Sequence, residues 1–251
     1  MNNSPIKIFC KTFDINSNEF VTPNSLLLGI KIYKIKISDY IQFLPKLKLF
    51  LNVSENTRAS KYYHEHDSHR FIICRGLLKF ILGDETGMSA SEIELKIDSN
   101  KKPYLSTNPS IHFNVSHSKN YALIAVASQP VGVDIEYLAK DFNFSEIIST
   151  VFSVTEINEV QKKDNNKRLL FKLWTRKEAI VKATGKGIND NIINIPVLDG
   201  DHLLNSDFLN FNKDLQVISF NVEEDYIGTI AYSGLPEHTK NLHFHPIPFN
   251  I

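Results

Sequence analysis

The chain has 251 residues, an ordinary hydrophobic share of 42%, and 28 basic side chains against 28 acidic ones. That length leaves room for one large domain or two smaller ones, and the apolar content excludes a disordered chain. The even charge argues against a dedicated nucleic-acid binder, which needs surplus Lys and Arg facing phosphate.

The N-terminus has no basic start followed by an apolar run, so no secretory signal is expected. No stretch approaches the ~20 apolar residues that span a bilayer, so no membrane partner is expected. Cys10 and Cys74 lie outside any CxxC pair and read as reduced thiols of a cytoplasmic protein. Residues 1–28, rich in Asn, Ser and Thr, read as an N-terminal extension packed loosely on the fold.

Ile30, Ile32, Ile35 and Ile37 predict a strand, with a bulge at Tyr33-Lys34 where alternation breaks. Ser54 and Glu55 open a charged, helix-compatible stretch. Asp67 is a good N-cap for a helix running through Arg70, Ile73, Leu77 and Leu78 to about Leu82, with Gly83 ending it. HFNVSHS and YALIAVAS read as two strands joined at SKN, and VGVDIEYL as a third strand after Pro130. The junction falls at Ser128-Gln129-Pro130, dividing residues 29–129 from 130–251. Strands at VISFNV and YIGTIAYS follow, and the tail HFHPIPFN, with two prolines, reads as an irregular surface segment.

In VGVDIE, alternate residues share a face, so Asp134 and Glu136 point the same way, roughly 7 Å apart. Two hard oxygen donors on a rigid strand suit Mg²⁺ while leaving positions for water and phosphate. An isolated DxE is more often the solvated face of a half-buried strand.

RLLFKLWTRKEAIVKATGKG predicts a helix closed by glycine. Leu169, Leu170, Leu173, Trp174, Ile180 and Val181 share one apolar arc. Glu178 and Lys182 lie together just outside it. Lys177 falls inside the arc and is expected to snorkel to its edge. A Glu–Lys pair four apart is commonly surface decoration. Here it offers a third carboxylate to the acidic strand and a cation for a phosphate leaving group.

Ser116 and His117 are adjacent on a strand, face opposite sides, and cannot act as nucleophile and base. At a strand end they suit a phosphate. Arg58, Arg70 and Lys102 are isolated basic residues, and His64, His66 and His69 lack the partners of a zinc site. His243 and His245 carry no signal of their own.

FNVSHS, GVDIE and FKLWTRKEAIVKATGKG, in that order, resemble the motifs of the two-domain, Sfp-type 4′-phosphopantetheinyl transferases. KIYKIKI, KYYHEHDSHRFI and KKP match in order as well, so the resemblance covers about Ile30 to Ser233. It implies an α+β fold of two similar halves in pseudo-twofold arrangement, with the active site in the cleft between them. It further implies transfer of phosphopantetheine from coenzyme A to a serine of an acyl or peptidyl carrier protein, by a cytoplasmic monomer using Mg²⁺.

By that resemblance Asp134, Glu136 and Glu178 bind the metal, with Glu178 often proposed as base. Lys182, Ser116 and His117 contact coenzyme A phosphates, Lys102 sits at the nucleotide pocket, and Arg70 reaches the 3′-phosphate. Arg58 matches a basic position, whereas Glu55 stands where the family has another. Phe142 to Glu156 is expected to form part of the carrier-protein docking face, with burial of Phe142, Phe144, Ile147 and Phe152 in the core as the open alternative. A metal-dependent nuclease is disfavoured because its Glu and Lys lie two apart on a strand. A non-catalytic module binding coenzyme A or carrier proteins is disfavoured by the retained acidic trio and lysine.

Overall fold

A computed structural model describes residues 5–13, 29–139, 148–162, 166–187, 190–209, 211–234 and 242–248. After β1 (Ile6–Thr12), the first half opens with β2 (Ile30–Lys36) and a 3₁₀ turn over Ile37–Phe43. Three helices follow: α1 (Leu44–Lys48), α2 (Val53–Ser60) and the long α3 (Glu65–Thr86). The half ends with a small hairpin, β3 (Leu95–Ile97) and β4 (Pro103–Leu105), and a larger one, β5 (His112–Ser118) and β6 (Tyr121–Ala127).

The second half starts at β7 (Val131–Tyr137), followed by α4 (Ile148–Val151), α5 (Val154–Gln161) and α6 (Lys167–Thr184). Then come β8 (Gly200–Leu204), α7 (Ser206–Leu209), β9 (Leu215–Glu223) and β10 (Tyr226–Ser233). The halves share one wiring. In each, the opening strand pairs with the last strand and the last with the one before it, giving β2-β6-β5 and β7-β10-β9.

Alternation along the strands sorts the core into layers. On β6, Ala122, Ile124 and Val126 pack toward α3, while Leu123, Ala125 and Ala127 join an apolar layer between the sheets. On β7, Val131, Val133 and Ile135 face that same layer, which leaves Gly132, Asp134 and Glu136 for the α6 side. The order is therefore helix, sheet, sheet, helix. Between the sheets, β5 side chains cover the open edge of β7. Asn114 Oδ1, Ser116 Oγ and Ser118 Oγ accept from the amides of Val133, Ile135 and Tyr137 at 2.9, 3.4 and 3.0 Å. An edge that would otherwise invite another strand is thereby occupied.

The chain ends cross over, and this corrects the reading of residues 1–28 as a loose extension. β1 runs parallel to β9 and antiparallel to β8 inside the second sheet, with Ile6, Ile8 and Cys10 only 3%, 0% and 4% exposed. Five residues of alternating pattern, IKIFC, were outweighed by the polar composition around them. Residues 1–4 and 14–28 of that segment lie outside the described residues. Residues 243–248 of the tail, assigned to the second half, lie on the first, where the His245 amide donates to Ile32 O at 2.7 Å beside a Phe244–Ile32 bridge, and residues 249–250 lie outside the described residues.

Two further expectations shift. β2 pairs with β6 in unbroken register from Ile30 to Lys36, without a bulge. Its broken alternation arises because the strand is buried on both faces, with Ile32 in one layer and Tyr33 and Ile35 in the other. α3 starts at Glu65 after an N-cap at His64, continues through Gly83, and closes at Gly87. One interior glycine costs a helix only ~1 kcal/mol, which the buried face around it outweighs.

Candidate active site

α6 is capped at its start by Asn166, whose side chain accepts from the Leu169 amide, and closes at Gly185 with φ 73°. It lies directly on β7 because residue 132 has no side chain. A Cβ there would stand 2.1 Å from Ala179 O and 2.3 Å from Ala183 N. This approach sets Glu178 and Lys182 over the acidic strand.

Lys182 Nζ donates to Asp134 Oδ1 at 2.6 Å and to Ser116 Oγ at 3.1 Å, and Ser116 Oγ donates to Asp134 Oδ1 at 2.7 Å. Glu136 accepts from Ser118 Oγ at 2.9 Å and from Trp174 Nε1 at 3.3 Å. Two buried carboxylate oxygens, Asp134 Oδ2 and Glu178 Oε1, have no hydrogen-bond partner among the described residues. Burial pushes the Glu178 carboxyl up to about 7; Lys182 opposes the rise, and Asp134 and Glu136 add to it. Burial and then Asp134 also raise Glu136, against its bonds from Ser118 and Trp174.

Three carboxylates with one ammonium leave an excess of negative charge in a desolvated place. The two unpartnered oxygens, both hard donors, fit a divalent cation in chemical type. Lys182, rather than a third carboxylate, closes on Asp134 here. No group of three or more His, Cys, Asp or Glu side chains among the described residues is arranged to hold a metal ion.

Two residues of α6 anchor it from behind. Lys177 does not snorkel: it is 0% exposed, ion-paired with Glu156 at 3.1 Å, and donates to Ile195 O and Ile192 O at 2.8 and 3.0 Å. Arg176, also fully buried, donates to Val197 O, Ser219 Oγ and Asp199 Oδ1 at 2.7, 2.8 and 2.5 Å. Together they tie the segment from Ile192 to Asp199 to the back of the helix.

The basic residues separate into three places. Arg58 and His117 line a pocket of about 250 Å³, together with Arg75, Lys101, Tyr62 and Phe71, and no carboxylate among the described residues lines it. The Arg58 and Arg75 guanidinium carbons sit 5.0 and 5.7 Å from the Phe71 ring centre, within cation–π range. Partial burial and then the Arg70 charge hold His117 below the usual imidazole range. Arg70 pairs with Asp67 and lines a neighbouring cleft of about 600 Å³ with Ile37, Ile41 and Lys119. Lys102 lines neither; its amine reaches Lys182 O at 2.5 Å.

Ser116 and His117 do face opposite ways, Ser116 toward the acidic strand and His117 toward the basic pocket. The Ser116 hydroxyl is buried and engaged by Asp134 and Lys182 rather than open to a phosphate. Glu55 is structural: it forms a capping box with Asn52 and pairs with Lys79 at 3.1 Å and Arg75 at 3.6 Å.

Arg75, Lys101, Trp174 and Ser118 were missed from sequence. A signal existed for two of them, since Trp174 lies one turn before Glu178 and Ser118 two residues after Ser116. Of the expected docking segment, residues 142–147 lie outside the described residues. Phe152 and Val151 are buried in the apolar cluster that includes Leu170, Leu173 and Ile180 of α6, and Val154 is exposed. No helix among the described residues is long and apolar enough to cross a membrane.

A family model described as "4′-phosphopantetheinyl transferase superfamily" matches residues 130–231, and one described as "4′-phosphopantetheinyl transferase, N-terminal" matches residues 41–129. A 4′-phosphopantetheinyl transferase HetI of Nostoc sp. is 31% identical over 174 residues, covering 66% of this chain and 73% of that protein. The 4′-phosphopantetheinyl transferase Sfp of Bacillus subtilis is 30% identical over 142 residues, covering 56% of this chain. Another Bacillus subtilis 4′-phosphopantetheinyl transferase is 30% identical over 141 residues. The matched stretch spans 62% of each of these two Bacillus proteins.

Proposed function

Since this chain belongs to the 4′-phosphopantetheinyl transferase family, we propose that it transfers 4′-phosphopantetheine from coenzyme A to a serine of an acyl or peptidyl carrier protein. The observation that carries the reading is the pair of unpartnered, buried oxygens on Asp134 and Glu178, with the Lys182 amine beside them. Asp134, Glu136 and Glu178 are the residues that would hold Mg²⁺. When bound, the ion supplies charge neutralisation at the pyrophosphate.

The protein's own groups account for the rest. Glu178, whose carboxyl burial pushes up to about 7 in the metal-free site, would accept the proton of the carrier serine, directly or through a water. The serine oxygen bonds to the β-phosphorus of coenzyme A as the bond from that phosphorus to the bridging oxygen breaks. The leaving 3′,5′-ADP carries the new negative charge. Lys182 exchanges its hold on Asp134 for that charge, and Ser116 keeps the Asp134 carboxylate aimed while it does so. The acid-free pocket of Arg58, Arg75, Lys101 and His117 suits the nucleotide's phosphate, with Phe71 and Tyr62 as its aromatic wall.

The test is direct. The protein is incubated with coenzyme A, Mg²⁺ and a panel of apo carrier proteins, and the products are weighed by mass spectrometry. The expected result is a mass gain of one phosphopantetheine on the carrier serine, abolished by EDTA and restored by Mg²⁺. No gain on any carrier, with coenzyme A bound tightly, leaves a binding module instead.

A further inference from the structure

Lys102 belongs to the first half, on the turn between β3 and β4, yet its amine ends on main chain of the second half. It donates to Lys182 O at 2.5 Å and lies 3.5 Å from Val131 O. Its neighbour Lys101, with φ 65°, turns into the basic pocket instead. The Lys102 stem also reaches the end of α6, where a Cβ on Gly185 would lie 3.8 Å from Lys102 Cδ.

Both carbonyls have structural meaning. The last carbonyls of a helix lack intrahelical partners and carry the negative end of its dipole. The Gly185 amide takes up Val181 O, and the next carbonyl, Lys182 O, receives the Lys102 amine. Lys182 is also the residue whose side chain holds Asp134. Val131 is the first residue of β7. One amine thus joins the end of the helix bearing Glu178 and Lys182 to the start of the strand bearing Asp134 and Glu136. Burial draws this amine down to about 8, as expected for a cation committed to a partly dry place between two halves.

We infer that Lys102 is a positioning residue, a clasp from the first half that sets α6 on β7, rather than a contact of the nucleotide. A nucleotide contact would require the amine to leave Lys182 O. The inference rests on the proposed transfer reaction for its kinetic arm, and on amide exchange alone for its structural arm.

Lys102→Met keeps the stem and removes the amine. Transfer is expected to fall about tenfold in kcat, the scale of a displacement well under 1 Å among reacting groups, with KM and Kd for coenzyme A within twofold of the parent. Lys102→Arg, which keeps charge and donors, is expected to restore most of kcat. By hydrogen exchange on the full chain, the amides of Ala183 to Gly185 are expected to exchange faster in Lys102→Met while those of β6 do not change. Lys102→Gln is the reserve variant should the Met variant fail to fold, held to the same outcomes. A tenfold rise in Kd for coenzyme A with unchanged kcat would make Lys102 a substrate contact and sink the clasp. Unchanged kcat with unchanged exchange at the end of α6 would also sink it. If the parent protein transfers nothing, the transfer reading fails, while the exchange result still decides the clasp.

Discussion

Both halves lay one long helix against the face of their opening strand, but the two strands present opposite chemistry to it. In the first half Tyr33 and Ile35 of β2 face α3 and join its core, and Lys31 reaches Glu85 of the helix at 2.5 Å. In the second half Gly132, Asp134 and Glu136 of β7 face α6, and Lys182 of the helix reaches Asp134 at 2.6 Å. In each the strand–helix ion pair spans the same kind of contact, yet only one half lets the helix backbone touch the strand. The first half uses its interface for packing, where volume decides stability. The second gives up packing for a close approach and leaves carboxylate oxygens unpartnered, a cost that a purely structural interface has no reason to carry.

The largest effect should come from breaking the acidic side of that comparison. Asp134→Ala is expected to lower kcat/KM for carrier modification on the order of a thousandfold, while a thermal scan shows the protein still folded. Near-parental transfer by this variant would remove Asp134 from the chemistry.

Gly132→Ala attacks the close approach itself, because its methyl cannot coexist with Ala179 O at 2.1 Å. Shifting α6 outward is expected to cost about 1–3 kcal/mol in stability and on the order of a hundredfold in kcat through misplaced Glu178 and Lys182. The counterpart test in the first half is Ile35→Val, expected to cost about 1 kcal/mol with kcat unchanged. Equal kinetic losses in the two variants would mean that the halves do not divide packing from chemistry as described.

A smaller effect sharpens the basic side. Arg75→Gln removes a guanidinium from the pocket it shares with Arg58, Lys101 and His117, leaving Glu55 to Lys79. The expected result is a loss of about tenfold in kcat/KM for coenzyme A, the scale of one charge-assisted hydrogen bond. Little change is expected for 3′-dephospho-coenzyme A. Parallel losses for both substrates would reduce Arg75 to a partner of Glu55.

The same contrast explains what could be read in the sequence. Alternation in VGVDIE and the helical spacing of Glu178 and Lys182 are short-range signals, and both placed their residues correctly. Long-range partners were not legible. Lys177 lies on an apolar arc, and nothing local says that Glu156, 21 residues earlier, will meet it in the core. β1 sits between two strands, β8 and β9, that begin roughly 190 to 210 residues later, so its five-residue alternation had no context. Arg70 and Arg75, five apart on one helix, face different clefts. Lys102 shows the limit of resemblance: it can mark a residue without saying which way its side chain points.

The subtlest difference between the halves is electrical, and pH should expose it. Glu178 has its folded-state carboxyl raised to about 7 by burial and by the charges of Asp134 and Glu136, against roughly 4.3 in an unfolded chain. A raised carboxylate pKa means that ionisation works against the fold. The cost is absent below pH 4, grows between about 4 and 7, and is fully present above. Glu178→Gln removes it, so the variant is expected to be inactive yet about 1–3 kcal/mol more stable at pH 7.5 in metal-free buffer, with the gain vanishing near pH 4. Mg²⁺ in the buffer should narrow the gap, since it stabilises only the parental carboxylate. Lys31→Met, which breaks the strand–helix ion pair of the first half, should show no such gain in stability at pH 7.5. If Glu178→Gln is less stable than the parent at every pH, the carboxylate is already compensated in the fold, and the second half carries no stored charge for a cation or a proton to relieve.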